Sequence, residues 1–291
     1  MVQRKGEWLE LIMPRSVQAQ DDGVHAYLMN DLGMPENMIR RMQNHKEIIR
    51  IGDRLRLRFF ASRPFGFEPQ WMDVHILYED DFCLVAYKPP GMPVHPSSKE
   101  AAGTLANGIA FHYLSTGQEA AVRHIHRLDD WTSGPVLYAK NEYAQMKLDE
   151  DMRNKRIARI YLAIVRGMPR NKQGVIHAPI GRDRHQSGKR RVSQTGDPAI
   201  THYEVIEQLR DAAVLRLQLE TGRTHQIRVH LSHIGHPIIG DALYGGSEEY
   251  LPRQALHGEC LRFRHPFSGE SIEVTAEIPA DIQAVLNRLT D

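Results

Sequence analysis

Apolar and polar positions along this chain switch repeatedly between an alternating and a helical period, and each switch marks an element boundary. WLELIM (8–13) and LRLRFF (55–60) alternate and predict strands, while VHAYLMNDLG (24–33) carries apolar residues at helical spacing. PENMIRRMQNH, opening on Pro35, predicts a second helix, and ASRPFGFEPQ (61–70), with two prolines, reads as a linker. Beyond residue 72 the pattern predicts a strand, turn and strand in ILYEDDFCLVAYKPPG, then a helix over TLANGIAFHYL (104–114). A strand over GPVLYAK (134–140), a helix over EYAQMKLDEDMRNK (142–155) and a strand over ARIYLAIVRG (158–167) come next. Two further strands, 199–209 and 213–220, lead into a helix over THQIRVHLSHIG (224–235), which ends near Gly235 with Pro237 just beyond.

Runs of strands with helices outside them favour an α+β fold over a doubly wound sheet. Its organisation is a small N-terminal domain over 1–70 and a catalytic-sized domain over 71–291. With no GxxxxGK[ST] and no GxGxxG, the chain has no signal for nucleotide-dependent chemistry. Glu7 and Glu10 interrupt any signal-peptide core, and no stretch approaches 18 apolar residues. A soluble cytoplasmic monomer with no membrane association is the default expectation.

The net charge of +1 hides an uneven distribution. Residues 151–200 hold 12 Lys+Arg against Asp151, Asp183 and Asp197, a local net of +9. Arg40, Arg41, Lys46, Arg50, Arg54, Arg56 and Arg58 form a second basic cluster. Such regions suit a polyanion, although a solvated face balanced by neighbours in space would look the same.

Two segments are dense in reactive groups. In His124–Gly134, a carboxylate stands between a basic residue and a Thr-Ser-Gly turn that leads into an apolar strand, a place where loops commonly carry function. Alone, Asp129 and Asp130 could equally be turn formers. Thr221–His230 opens a helix after a strand and contributes two arginines, which alone could be a solvated face. His225, His230, His233 and His236 share helical spacing, yet with no HExxH and no nearby cysteine no metal site is expected. No GxSxG elbow supports a hydrolase.

Taken together, these segments resemble the large-subunit-rRNA type of RNA pseudouridine synthases. HRLDDWTSGPVLYAK resembles that family's HRLD–TSG signature, and KPPGMPVHPS (88–97) its Lys-Pro segment. ARIYLAIVRG, GDPAITHYEV (196–205), TGRTHQIRVHLSHIGHPIIGDALYG (221–245) and ALHGECLRFRHPFSGE (255–270) follow in the family's order, so the likeness covers about 72–280. Asp130-Trp131 departs from the usual basic residue followed by Asp or Pro, and Arg159 stands where Lys is usual. The N-terminal helix, basic helix and strand resemble, in degenerate form, an RNA-binding module of a small-subunit ribosomal protein, with Gly52-Asp53 replacing its usual Asn-Gly turn.

The resemblance implies a pseudouridine synthase fold and the isomerisation of uridine in RNA without cofactor or metal. It implies Asp129 as the essential carboxylate, acting on the sugar as nucleophile or as base. Arg228 is implied as its ion-pair partner and Tyr161 as the ring packed on uracil. The target base must be flipped out of its stack. Arg127 is implied to fill the gap, with His126, Thr132, Ser133, Gly134 and Ile227 at the substrate. The RNA partner is expected to be rRNA, with tRNA or a non-catalytic ribosome-assembly role as alternatives.

Overall fold

The computed structural model of the protein describes residues 2–18 and 23–290. Strands β1 (Val2–Lys5), β2 (Trp8–Ile12), β3 (Ile48–Ile51) and β4 (Arg54–Leu57) form an antiparallel sheet in the order β1-β2-β4-β3. Helices α1 (Arg15–Gln18), α2 (Gly23–Asn30) and α3 (Glu36–Asn44) lie between β2 and β3. The β3–β4 hairpin turns at Gly52-Asp53, and Gly52 sits at φ 60°, the positive φ that a two-residue hairpin turn requires at its first central position.

The remaining chain builds two larger sheets. β5 (Ile76–Glu79), β6 (Cys83–Lys88), β7 (Arg123–His124) and β8 (Gly134–Ala139) pair in the order β5-β6-β8-β7, with α4 (Leu105–Ser115) and α5 (Glu142–Arg153) alongside. All six residues of β8 are buried, which fits its unbroken apolar run. The second sheet contains β9 (Ala158–Arg166), β10 (Gln173–His177), β13 (Ile200–Gln208), β14 (Ala212–Leu219), β15 (Leu256–Arg264) and β16 (Ser271–Thr275). Its order is β10-β13-β14-β9-β15-β16, antiparallel throughout. A separate hairpin, β11 (Ile180–Arg182) with β12 (Arg190–Val192), precedes β13. α6 (Gln226–His233) and the C-terminal α7 (Ala280–Thr290) complete the α+β architecture. Among the described residues no helix is long and apolar enough to cross a membrane.

The two large sheets meet at a seam. A bridge joins Ser133 to His257, Ser133 Oγ lies 2.9 Å from His257 Nδ1, and the Gly258 N–H donates to the Ser133 carbonyl at 2.7 Å. Gly134 has φ 135°, and a Cβ there would fall 2.6 Å from the Gly258 carbonyl oxygen. Only glycine permits this backbone approach.

The N-terminal sheet shares its core with the back of the first large sheet. Leu9, Leu28, Ile39 and Leu57 belong to the same buried cluster as Val85, Leu137 and Leu148. Phe59 stacks on Tyr143 at 4.6 Å between centroids, and the Tyr143 hydroxyl donates to the Leu32 carbonyl. The 61–70 segment is pinned rather than loose: Asn107 Nδ2 donates to the Glu68 carbonyl, and the Gln70 N–H donates to the Asn107 carbonyl.

Three details differ from the sequence reading. α6 starts at Gln226, not Thr224, because His225 takes the left-handed conformation at φ 58°. The strands β1, β3, β10, β11 and β12 and the helix α7 were not anticipated, most being short and without a clean alternation. Most of the N-terminal basic cluster is neutralised in place. Arg40 pairs with Glu36, Arg41 with Glu142, Arg54 and Arg56 with Glu10, and Arg58 with Glu7 and Glu47.

Candidate active site

Asp129 stands in the loop between β7 and β8, whose path is fixed from both sides. Its carbonyl accepts the Thr132 N–H at 2.9 Å, which closes a tight turn just before the seam. The carbonyl of Asp130 accepts the Gly91 N–H at 2.8 Å and Lys88 Nζ at 2.7 Å. Lys88 is fully buried and also donates to the Pro89 and Met92 carbonyls, so it ties the 88–92 segment to the Asp129 loop. Burial with no carboxylate contact pulls its pKa down to about 7.

The opposite wall is α6. Arg228, on its first turn, donates from Nε and Nη2 to the two carboxylate oxygens of Asp241 at 2.7 and 2.8 Å. Its third nitrogen, Nη1, is 3.4 Å from Asp129 Oδ2. The guanidinium lies 4.9 Å from the Tyr244 ring centroid. Burial works against the charge, but the bonds and field of Asp241, with the field of Asp129, raise the Arg228 pKa. The fork therefore stays a cation, locked by one acid and presented to the other.

His225 precedes α6 with its side chain against the same carboxylate, Nε2 to Asp129 Oδ2 being 4.0 Å. Its Nδ1 is 2.9 Å from the Tyr244 hydroxyl, whose oxygen accepts the Arg190 N–H at 2.9 Å. With that oxygen already accepting, its own proton is placed to go to Nδ1, which leaves the imidazole proton on Nε2, facing Asp129. A non-glycine residue held at positive φ is the kind of backbone cost that functional sites carry. The turn before it is set by Gln226, whose Oε1 accepts from Thr221 Oγ1 and the Arg223 N–H.

Between these walls lies a cavity of about 390 Å³, with Tyr161, Leu219, Ile227 and Leu256 as its apolar side. Tyr161, on β9, is 5% exposed, and burial raises its pKa, as does Asp129, so the phenol keeps its proton. Arg159, two residues earlier on the same face of β9, also lines the cavity. It donates to the Thr221 carbonyl at 3.3 Å, and its buried Nε has no partner. His126 accepts the Leu137 N–H at Nε2, and burial, then the nearby Arg159 charge, hold its pKa at about 3. A neutral imidazole, a buried cation and an apolar wall beside an arginine-held carboxylate suit a flat, uncharged, hydrogen-bonding ring.

Asp129, Tyr161, Arg228, His126, Arg127, Thr132 and Ile227 thus converge on one cavity. Ser133 and Gly134 do not line it; they form the seam that sets the position of the loop. The sequence reading assigned no role to Asp241, Tyr244, His225 or Lys88. Asp241 and Tyr244 lie inside the quoted 221–245 segment, and their distance from Arg228 in sequence concealed the contact. The helix histidines do not converge. His230 is spent on Thr201 and Ala178, and the Nδ1 of His236 lies 3.0 Å from the Arg166 carbonyl. Among the described residues the one His/Cys/Asp/Glu trio with ligand atoms close together is Asp80, Cys83 and His265. Asp80 there already accepts from two backbone N–H groups, Tyr78 and His265, which marks a folded turn.

Within the +9 stretch, Lys155 pairs with Glu220 and Arg156 with Glu150 and Asp151. Arg182, Arg184, Lys189, Arg190 and Arg191, all on or between β11 and β12, join no ion pair among the described residues. Through Arg190 and Tyr244 this hairpin is fastened beside α6.

Comparison with known proteins points to one family. The family model for RNA pseudouridylate synthase matches residues 82–233, roughly half the chain. The RNA pseudouridine synthase YhcT of Bacillus subtilis is 39% identical over 285 residues, covering 96% of this chain and 92% of that protein. Ribosomal large subunit pseudouridine synthase D of Pasteurella multocida is 40% identical over 237 residues, covering 77% of this chain and 73% of that one. Among solved structures, human RNA pseudouridylate synthase domain containing 4 superposes with a TM-score of 0.62 at 26% identity, over 74% of this chain and 92% of its own. The chain belongs to the RNA pseudouridine synthase family and is an enzyme of that class.

Proposed function

We propose that this enzyme isomerises specific uridines in structured RNA, large-subunit rRNA foremost, as a monomer and without cofactor, with Asp129 as the essential carboxylate. The observation that carries the reading is the Asp129 carboxylate at the mouth of the Tyr161 cavity, within reach of the Asp241-locked Arg228. Substrate and product are isomers. The C1′–N1 bond breaks, a C1′–C5 bond forms, N1 gains a proton and C5 loses one, so no redox or energy input is needed. Asp129 acts at the sugar, as nucleophile or as base toward a sugar proton, and Arg228 orients it. Tyr161 packs against the detached ring while it turns. Its phenol, kept protonated by burial, contributes a neutral hydroxyl and not a phenolate.

The target uridine reaches the cavity by base flipping, at a cost of a few kcal/mol. Arg127 fills the vacated place in the stack. The unpaired cations of the β11–β12 hairpin follow the phosphates, an attraction that weakens with salt. The rRNA assignment rests on the likeness to ribosomal large subunit pseudouridine synthase D.

The test is a site-resolved pseudouridine map of rRNA and tRNA from cells lacking the protein, restored with wild type or with Asp129→Asn. Loss at defined uridines, recovered by wild type alone, is the expected outcome. Recovery by Asp129→Asn, or pseudouridine formed by that purified variant, would remove Asp129 from its role.

A further inference from the structure

Asp129 belongs to two cavities, not one. Adjoining the Tyr161 cavity, a second space of about 530 Å³ opens, lined by His95, Ala102, Arg127, Trp131 and Arg228 as well as Asp129 itself. Trp131 is 56% exposed, yet its position is tightly defined. Arg253 Nη1 donates to its carbonyl at 3.1 Å, and the residues on either side are held by the Lys88, Gly91 and Thr132 contacts described above. The ring lies against Gly91, where a Cβ would come within 3.2 Å of it, so the glycine makes room for the indole. A single exposed tryptophan is unremarkable in itself. An indole on a backbone fixed at this many points, at the mouth of a cavity that shares the reactive carboxylate and two guanidinium groups, is a preorganised platform.

We infer that the Trp131 cavity is a second nucleobase site, which stacks the unpaired base of a nucleotide adjoining the target uridine. The inference rests on the activity proposed above. RNA is continuous, so a strand whose uracil occupies the Tyr161 cavity, with its ribose at Asp129, has its next nucleotide close to that carboxylate, which the Trp131 cavity shares. Every nucleobase offers a π-face, and an aromatic platform binds it in a largely sequence-tolerant way, worth about 1–3 kcal/mol. Trp131 is one of the two positions at which the signature segment departs from the family pattern, so the platform is a property of this chain.

The test uses a stem-loop RNA around a uridine that wild type converts, intact and with an abasic ribose at either neighbour. Trp131 is exposed, so Trp131→Ala and Trp131→Phe should fold normally. On intact RNA, Trp131→Ala should raise KM about 5- to 150-fold, the equivalent of 1–3 kcal/mol, with kcat little changed. Trp131→Phe should restore most of the loss. Removing one particular neighbouring base should bring wild type to the level of Trp131→Ala, and removing the other should not. Equal KM values for wild type and Trp131→Ala on intact RNA would overturn the inference, as would a Trp131→Ala defect that persists with either abasic RNA, the result expected if the indole holds a protein partner or only the loop. Failure of wild type to convert any uridine would instead overturn the parent activity, and this inference with it.

Discussion

Replacing Asp241 by Asn separates aiming the active-site arginine from merely anchoring it. Asp241 is 2% exposed and takes two of the three guanidinium contacts of Arg228, which leaves Nη1 3.4 Å from Asp129. Asparagine keeps one acceptor but turns an N–H₂ toward the second donor and removes the charge. Breaking a buried pair from one side costs about 3–5 kcal/mol. The remaining acceptor and the contact to Asp129 favour the lower end, a fall in Tm of about 5 °C. The catalytic consequence is separate. Freed of its clamp, the guanidinium swings away from Asp129, which forfeits one oriented charge-assisted hydrogen bond, about 1.5–3 kcal/mol. That corresponds to a roughly 10- to 150-fold loss in kcat. The assay is release of tritium from RNA labelled at uridine C5, run well below the variant's Tm, with RNA affinity measured in parallel. A folded Asp241→Asn protein whose kcat lies within twofold of wild type would refute the argument, and Asp241 would then be an anchor only.

Three further outcomes are expected. His225→Gly relieves the φ of 58° while removing the imidazole, so Tm should hold or rise as kcat falls at least tenfold; unchanged kcat would mean that the strained residue serves the turn alone. Burial puts the His126 pKa at about 3 in the folded state against about 6.5 unfolded, so below pH 6.5 the unfolded chain binds the extra proton and stability falls as pH drops. By pH 5 wild type should have lost about 2 kcal/mol more than His126→Gln, measured by chemical denaturation from pH 7.5; equal losses would show that His126 is charged in the fold. At the seam, Gly134→Ala drives a methyl into the Gly258 carbonyl, whereas Gly258→Ala meets the Pro135 ring at 3.2 Å, so the first should destabilise by at least about 1–3 kcal/mol more than the second in calorimetry. The reverse order would mean that the sheets can separate there freely.

How much of this was legible in the sequence depended on whether the determining contacts were local. Strands such as β8 and β9 announce themselves because burial on both faces demands long apolar runs, and α3 because Pro35 and its amphipathic stripe act within one segment. The motifs around Asp129, Tyr161 and Arg228 were legible through their joint resemblance to one family, and the fold brings those three side chains to one cavity. What escaped notice was set by partners distant in the chain. Asp241 gains meaning only once the chain after α6 turns back onto Arg228, thirteen residues away. The basic N-terminal cluster looked like a polyanion surface because Glu10 and Glu142 reach it from another strand and another helix. Ser133 and Gly134 were placed at the substrate by their motif, and the seam they form depends on β15, over 120 residues later.

The N-terminal sheet, bonded through a shared core to the layer that carries Asp129, acts as a ruler and not as a tether. A module on a flexible linker would raise the local concentration of a ligand anywhere within its reach. A module stacked through Phe59 and Tyr143, and clamped by Arg41 on Glu142, holds whatever meets its outer face at one fixed span and bearing from the carboxylate. The distance from that face to the carboxylate is then set by packing and not by the reach of a linker.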